Sequence, residues 1–319
     1  MKKIAFLFAL ALLATALISC GGRNEDDVTI TEQDRAAMRE ATAALADRIS
    51  EPAEYMLYET DGRVVAFQNG KATGVYDSKE AALAEFFDAP AAATAVPVPD
   101  TSWYICRGDL APLTYVAFGD SITYGIDGNY RVGDSAYRMT NPYPNLVGET
   151  LGLQAVRNMG VSGASFCPHP DRANMTSNIL GFGGEADIIS LLLGVNDFTS
   201  KLPLGEPTDR DHTTIYGCLH LISEHFKTLY PDAFIFYMTP FQYKNPDNGV
   251  YRLEDVANAV KTVAAEYEIP VLDLYTLGKY ELEMNVSPND GIHPSQQHHI
   301  DYTAPLICEF LARHYENEK

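Results

Sequence analysis

The most constraining feature of this sequence is an alternation, from residue 114 onward, of short apolar runs with stretches of helical periodicity. Apolar runs occupy residues 115–118, 155–157, 188–193, 234–238 and 271–274, and helical patterns residues 144–151, 215–229, 253–266 and 296–314. The runs at residues 115–118 and 234–238 are apolar along their whole length, and the run at residues 188–193 contains a single serine, as expected of strands buried on both faces. The alternation predicts a parallel sheet covered by helices on both faces, and hence an α/β domain over residues 114–319.

The charge of the chain argues against one class of partner. Its 319 residues carry a formal net charge of −20. Such a surface repels nucleic acid and anionic lipid headgroups, so no nucleic-acid partner is expected. The apolar content of 46% is ordinary for a globular protein, and a chain of this length can bury a sizeable core.

Residues 1–20 have the pattern of a secretory signal, with two lysines, a short apolar run and a small residue before the cut. The final four residues, Leu17-Ile18-Ser19-Cys20, resemble the lipobox of bacterial lipoproteins, in which the cysteine is acylated and becomes the mature N-terminus. The acidic tether at residues 21–27 is similar to the segment that directs lipoproteins to the cell surface in Bacteroidota. The expectation is an extracytoplasmic protein, lipid-anchored to the bacterial outer membrane through Cys20. An ordinary signal with an incidental cysteine is the alternative.

Four further cysteines leave the disulfide pattern open. Cys106, Cys167, Cys218 and Cys308 allow three pairings in an oxidising compartment. Cys218 and Cys308 lie in helical, apolar surroundings, which equally suit buried free thiols.

Residues 28–113 predict a small α+β accessory module. A helix is expected over residues 31–49 with Thr31 as its cap, and Asp77 and Glu80 are expected to open a second helix. Between them, Asp-Gly and Asn-Gly pairs separate short β-prone runs, a pattern typical of a meander. Residues 89–100, rich in alanine and proline, predict a linker. No catalytic constellation is recognised before residue 114.

The run at residues 115–118 leads straight into Gly119-Asp120-Ser121. One hydroxyl is therefore predicted at the carboxyl end of a buried strand, the edge at which open α/β sheets bind their ligands. A serine hydroxyl is a weak nucleophile until a base takes its proton. Ser121 is a candidate nucleophile only if the chain also supplies that base and donors for an oxyanion.

The sequence Asp290-Gly291-Ile292-His293-Pro294 offers the base. Pro294 suits the first position of the helix that follows, which predicts His293 at the helix cap. Asp290, across a glycine turn, can fold back onto the imidazole, select its tautomer and stabilise its charged form. The alternative interpretation is a plain Asp-Gly turn beside a surface histidine.

Two more glycine turns follow predicted strands. One is Asn158-Met159-Gly160-Val161-Ser162-Gly163, and the other is Gly194-Val195-Asn196-Asp197. A backbone N–H and an asparagine amide at these ends can face a developing negative charge. The combination of four such pieces in order indicates hydrolytic chemistry, which no single piece would.

Together these motifs resemble the SGNH, or GDSL-type, hydrolase family over residues 114–314. The resemblance implies a flavodoxin-like three-layer α/β/α fold and a serine esterase. It implies a triad of Ser121, Asp290 and His293. It also implies an oxyanion hole made by the N–H groups of Ser121 and Gly163 and by the side-chain amide of Asn196.

Other polar residues of these motifs are assigned no catalytic role: Asp120, Asp197, Ser162 and Ser165. The two aspartates are expected to be fixed beside their own turns, and the serines lack a Gly-x-Ser-x-Gly elbow. His298 and His299 are expected to be solvated residues of the last helix. The sequence has no His-Glu-x-x-His, no paired Cys-x-x-Cys and no complete dinucleotide loop, so neither a metal nor a cofactor is expected.

The substrate is the least constrained feature. Three long segments at the catalytic edge, residues 124–143, 198–214 and 241–252, are polar and carry six tyrosines: Tyr124, Tyr130, Tyr137, Tyr143, Tyr243 and Tyr251. Such walls suit a sugar ring better than a long acyl chain, which predicts removal of acetyl or similar small groups from a glycan. Alternatively, the tyrosines only pack the loops together. The other functions considered are a lipase, lysophospholipase or thioesterase, and a non-catalytic glycan-binding lipoprotein on a disused scaffold.

Overall fold

The structure is a computed structural model, and it describes residues 31–48, 52–87, 94–98, 102–132, 135–278 and 291–315. The chain forms two compact units, one ending at Asp88 and the other beginning at Ala89. The start of the α/β domain predicted from the sequence lies later, at residue 114. Within the described ranges, no helix has both the length and the hydropathy needed to cross a bilayer.

The first unit contains two helices and an antiparallel meander. Its elements are α1 (Glu32–Arg48), β1 (Tyr55–Thr60), β2 (Arg63–Gln68), β3 (Lys71–Tyr76) and α2 (Lys79–Phe86). The Thr31 hydroxyl accepts the N–H of Asp34 at 3.1 Å, as its predicted capping role requires. The cap of α2 is Ser78 rather than Asp77, because the Ser78 side chain accepts the N–H of Ala81 at 3.1 Å.

The second unit begins with strands that the sequence analysis did not predict. Residues 94–97 were expected to belong to a linker, but they form strand β4 (Thr94–Pro97). This strand pairs antiparallel with β5 (Trp103–Arg107). The linker prediction was therefore wrong for these residues. Their backbone N–H and C=O groups form hydrogen bonds with β5, and the alanine and proline content of the segment does not reveal this pairing.

The remaining elements alternate strand and helix, with one added hairpin. Up to the middle strand they are β6 (Thr114–Gly119), α3 (Ser121–Tyr124), β7 (Ile126–Val132), β8 (Ser135–Arg138), α4 (Tyr143–Leu151), β9 (Ala155–Gly160), α5 (Met175–Leu180) and β10 (Ile188–Leu192). They continue as α6 (Val195–Thr199), α7 (Ile215–Leu229), β11 (Phe234–Met238), α8 (Leu253–Glu266), β12 (Val271–Leu272), α9 (Leu274–Leu277), α10 (Gln296–His298) and α11 (Ala304–His314). A π-helical turn over His299–Thr303 separates α10 from α11, so the predicted last helix is interrupted.

Five of these strands form one parallel sheet in the order β12-β11-β10-β6-β9. One face packs on α5, α7 and α8 through a cluster that includes Val116, Phe118, Ile189, Leu191, Ile235 and Tyr237. On the other face, Phe236 of β11 meets Phe310 of α11 with ring centroids 5.3 Å apart, and α11 packs beside α4. The three-layer α/β/α prediction is confirmed, and all five strands end at one edge of the sheet.

Candidate active site

Ser121 lies where β6 ends and α3 begins. The chain leaves the sheet at Gly119, and Asp120 caps the short helix by accepting the N–H of Ile122 at 2.9 Å. This turn places Ser121 at the first helical position, directly after the strand. The residue is only 5% exposed.

His293 meets this hydroxyl from the far end of the unit. Its Nε2 lies 2.8 Å from Ser121 Oγ, across a sequence separation of 172 residues. That distance is within hydrogen-bonding reach, the relation that a nucleophile needs to its base. Asp290, the expected third member, lies outside the described residues.

His293 is not the helix cap, which corrects the sequence prediction. Ser295 is the cap of α10, because its hydroxyl accepts the N–H of His298 at 3.1 Å. The imidazole therefore lies two residues outside the helix. Two hydrogen bonds hold this loop against β7. The carbonyl of Pro294 accepts the N–H of Gly128 at 3.4 Å, and the side-chain carboxylate of Asp127 accepts the N–H of Gln296 at 3.3 Å.

The two glycine turns reach the same edge of the sheet. Gly163 has a φ of +77° and Gly194 a φ of +120°, conformations that favour glycine. Gly194 turns the chain from β10 into α6, so that Asn196 lies in the first turn of that helix. The Asn196 amide nitrogen donates to the carbonyl of Ala164 at 2.8 Å, and lies 3.5 Å from an Asp120 carboxylate oxygen. The structure thus brings Asn196 beside the turn that carries Ser121.

Asp120 and Asp197 are both buried and bonded to backbone. Asp197 accepts the N–H groups of Phe166 and Cys167 at 2.9 and 3.0 Å, which fixes the loop that follows Gly163. Burial raises the pKa of Asp120 to about 6 and that of Asp197 to about 7, and the backbone donors oppose part of each shift. Both aspartates therefore stay beside their own turns, as the sequence analysis expected.

A cleft of about 280 Å³, measured to its open mouth, lies beside the Ser121–His293 pair. Its walls come from the carboxyl ends of β6, β10 and β11 and from the residue before His293. The side chains include Ile122, Leu193, Val195, Phe241, Tyr243 and Ile292. Most of the lining is aliphatic or aromatic, and two polar side chains, Asp120 and Gln242, also belong to it.

His298 and His299 are buried rather than solvated, so that expectation was wrong. His298 Nε2 lies 2.9 Å from the carbonyl of Gly278, and its Nδ1 lies 3.2 Å from Thr303 Oγ1. His299 is fully buried, and its Nδ1 accepts the N–H of Tyr143 at 3.0 Å. Gly278 and Tyr143 come from other parts of the fold, which explains why the local sequence pattern did not indicate burial. Across the described ranges, no three His, Cys, Asp or Glu side chains cluster as metal ligands.

The burial of His299 leads to a prediction for acid stability. Desolvation, reinforced by the neighbouring His298 and His293, lowers its pKa from 6.5 to about 3. The unfolded chain therefore binds a proton that the folded chain does not, and stability is lost as the pH falls below 6.5. At pH 5 the loss from this residue is expected to be about 2 kcal/mol. His299→Gln, which keeps an acceptor but cannot titrate, should remove it.

Urea unfolding at pH 7.5 and pH 5 measures this loss. The exposed His212 offers a matched control, and His212→Gln should keep the pH dependence of the unsubstituted protein. Equal pH dependence in His299→Gln and the unsubstituted protein would show that His299 does not resist protonation in the folded state.

The four described cysteines are buried as free thiols. The sulfur atoms of Cys167 and Cys218 lie 4.0 Å apart, a contact distance well beyond a covalent S–S bond. The buried free thiols proposed for Cys218 and Cys308 are present in the structure.

One residue at the site was not identified from the sequence. Arg172, in the loop between β9 and α5, donates to the side-chain oxygen of Asn196 at 2.8 Å. It belongs to no motif and lies 24 residues before Asn196. Only the folded loop brings its guanidinium to the site.

Comparisons with known proteins agree with this fold. A solved structure of a protein from Lactobacillus plantarum has 23% sequence identity to this chain and a TM-score of 0.55. The matched region covers 64% of this chain and 99% of the Lactobacillus plantarum chain. The structure of a possible lipase from Chitinophaga pinensis has 26% sequence identity to this chain and a TM-score of 0.50. The matched region covers 63% of this chain and 98% of the Chitinophaga pinensis chain. The comparison with curated proteins gives no match.

The match to a family model is more specific than these structural likenesses. The model describes the GDSL-like lipase/acylhydrolase family, and it matches residues 117–299, more than half of the chain. The matched segment includes the turn at Ser121, the turns at Gly163 and Asn196, and the loop that carries His293. The chain therefore belongs to the GDSL-like lipase/acylhydrolase family and is a carboxylic ester hydrolase.

Proposed function

We propose that this protein is an extracytoplasmic serine esterase that removes short acyl groups, above all acetyl, from a glycan. The observation that carries the proposal is the 2.8 Å contact between Ser121 Oγ and His293 Nε2 beside a small cleft. Such a pair supplies a nucleophile and its base, and a small cleft limits the group that can be bound.

In the proposed reaction, His293 takes the proton of Ser121 as Oγ attacks the ester carbonyl. The N–H groups of Ser121 and Gly163 and the amide of Asn196 hold the oxyanion that forms. His293 then returns the proton to the leaving alcohol, which departs and leaves an acyl-serine. Water, with His293 again as base, attacks this ester and releases the carboxylic acid. Asp290 is the proposed partner that orients His293.

The size of the cleft supports a short acyl group. Its volume of about 280 Å³ includes space that is open to solvent, so the enclosed part is smaller still. Phe241 and Ile292 are large side chains among its walls, and Leu193 is almost fully buried there. An acetyl or propionyl group needs only the inner part of such a space.

The tyrosines give more limited support for a sugar. Tyr243 lines the cleft and Gln242 lies beside it, so together they offer an aromatic face and an amide to a ring at the mouth. Tyr143 and Tyr251 instead pack the loops, since Tyr143 is fully buried and the Tyr251 hydroxyl donates to the carbonyl of Leu202 at 2.8 Å. The side chains of Tyr130 and Tyr137 lie outside those that the structure describes.

The apolar lining also favours the second candidate function, a lipase, lysophospholipase or thioesterase acting on longer chains. Aliphatic walls bind methylene groups, each worth about 0.8 kcal/mol when buried. A third candidate, a non-catalytic glycan-binding lipoprotein, has no use for the Ser121–His293 contact.

The proposed location depends on the sequence pattern of residues 1–27. We propose export through the signal at residues 1–20, acylation of Cys20 and attachment to the outer membrane, with the cell surface as the site of action. These residues lie outside the part that the structure describes. An outward-facing enzyme would meet polymeric glycans before import, which agrees with the proposed substrate class.

Protein lacking residues 1–20 tests the acyl preference on aryl esters from acetyl to decanoyl. We expect kcat/KM to be highest for acetyl and to fall with chain length, because longer chains exceed the cleft. The same protein should release acetate from an acetylated oligosaccharide. A maximum at octanoyl or beyond would instead support the lipolytic candidate. Equal turnover by the unsubstituted protein and its Ser121→Ala variant on every ester would instead support the non-catalytic binding protein.

A further inference from the structure

Arg172 joins the two loops that carry the proposed oxyanion donors. Its NH1 group donates to Asn196 Oδ1 at 2.8 Å and to the carbonyl of Gly163 at 3.4 Å. Its Nε donates to Ser200 Oγ at 2.6 Å, and its NH2 group lies 3.4 Å from Thr199 Oγ1. Thr199 and Ser200 are at the end of α6, the helix that begins beside Asn196. One half-buried side chain therefore contacts both ends of that helix and the turn at Gly163.

These contacts fix the orientation of the Asn196 amide. Its oxygen faces the guanidinium, which can only donate, while its nitrogen faces the carbonyl of Ala164 and the Asp120 carboxylate, which accept. Rotating the amide by 180° would set N–H against N–H and oxygen against oxygen. Arg172 thus selects the rotamer in which the Asn196 nitrogen faces Ala164 and Asp120, the residue before Ser121.

The remaining capacity of the amide fits this role. One N–H makes the 2.8 Å bond to Ala164, and the only other contact of the nitrogen among described residues is the long 3.5 Å approach to Asp120. The second N–H is therefore weakly engaged and available to an oxyanion. A cation bonded to the amide oxygen also polarises the amide, which strengthens the N–H groups as donors.

Arg172 also moderates the charge at the site. Burial raises the pKa of Asp120, while the backbone N–H of Ile122 and the positive charge of Arg172 lower it and so favour the ionised carboxylate. An ionised Asp120 close to Ser121 would repel a forming oxyanion. A guanidinium on the opposite side of Asn196 offsets part of that repulsion.

We propose that Arg172 is a positioning residue for ester hydrolysis, acting through Asn196 to hold and polarise the oxyanion hole. The proposal rests on the proposed function, in which Asn196 is an oxyanion donor. Because the oxyanion exists only after attack, the residue should contribute to kcat and hardly to KM.

A double-mutant cycle tests the coupling, with p-nitrophenyl acetate as the probe. Asn196→Ala alone should lower kcat by about 10²–10³-fold, the usual cost of losing one such donor. Arg172→Ala alone should lower kcat by about 10–100-fold, because a small displacement of a catalytic group is costly. In the Asn196→Ala background, Arg172→Ala should cost less than about 3-fold, since the amide through which it acts is gone.

Two further variants separate this role from a general effect on stability. Arg172→Lys keeps the positive charge and one donor group but loses the planar arrangement of guanidinium donors. Its kcat should therefore lie between those of Arg172→Ala and the unsubstituted protein. Arg210→Ala removes an exposed arginine that pairs with Glu266 on the surface, and should leave kcat unchanged. Equal effects of Arg172→Ala in both backgrounds would overturn the proposal, as would a change confined to KM. No effect of Asn196→Ala would instead overturn the oxyanion assignment on which it rests.

Discussion

Replacing Ser121 with alanine is expected to lower kcat on every ester by about 10⁴–10⁶-fold. The hydroxyl is the atom that would form the acyl-enzyme, and His293 Nε2 lies 2.8 Å from it. The substitution removes one oxygen from a nearly buried position and leaves the turn and its Asp120 cap in place. Thermal unfolding should therefore change little, so that the loss of activity cannot be assigned to unfolding.

The partner variants make this prediction sharper. His293→Ala should cost about as much as Ser121→Ala, and the double variant should be no worse, because the two groups act as one unit. Ser177→Ala, at an exposed position on α5, is the matched control and should retain full turnover. If Ser121→Ala kept more than about a tenth of the turnover, Ser121 would not be the nucleophile.

Gly160→Ala is expected to have a large effect on folding stability. A Cβ at this position, the last residue of β9, would contact the backbone nitrogen of Tyr124 and come within 2.7 Å of the carbonyl carbon of Thr123. Backbone atoms cannot move aside as a flexible side chain can, so α3 or β9 must shift. We expect a loss of about 3 kcal/mol, which for a unit of this size lowers Tm by about 6–12 °C.

The same shift should reach the active site. Thr123 and Tyr124 lie two and three residues after Ser121 in the same short helix, and Asn158 holds this segment by donating to the carbonyl of Thr123 at 2.7 Å. Turnover of the folded Gly160→Ala protein should therefore fall as well. Gly183→Ala is the control, because a Cβ there meets open space at an ordinary φ. Calorimetry of the unsubstituted protein and the two variants measures this effect. Equal Tm values for Gly160→Ala and Gly183→Ala would contradict the close-packing argument.

The three central strands of the sheet, β6, β10 and β11, were predictable because they are almost entirely buried. The runs at residues 115–118, 188–193 and 234–238 match β6, β10 and β11 to within a residue or two at each end. Strands covered on both faces need apolar side chains at every position, and a continuous run of that kind has few other uses. The turns that follow them, at Ser121 and Asn196, were identified because glycines and polar residues interrupt these runs abruptly.

The features that sequence analysis missed depend on partners distant in the chain. Strand β4 forms because β5 pairs with it, and an alanine- and proline-rich segment gives no local sign of that partner. His298 and His299 are buried because Gly278 and Tyr143 offer them backbone hydrogen bonds. Arg172 resembles any loop arginine until the fold brings it to Asn196. In each case the deciding contact is tertiary, and no periodicity encodes it.

The long separation between Ser121 and His293 has a consequence for when the protein can act. A chain that emerges from its N-terminus presents the nucleophile first and the base 172 residues later. On the proposed mechanism, Ser121 has no base until the loop that carries His293 has docked, so a molecule that lacks this loop is expected to be inactive toward esters. On that mechanism, each turnover comes from a molecule in which the turn that carries Ser121 and the loop that carries His293 have already come together.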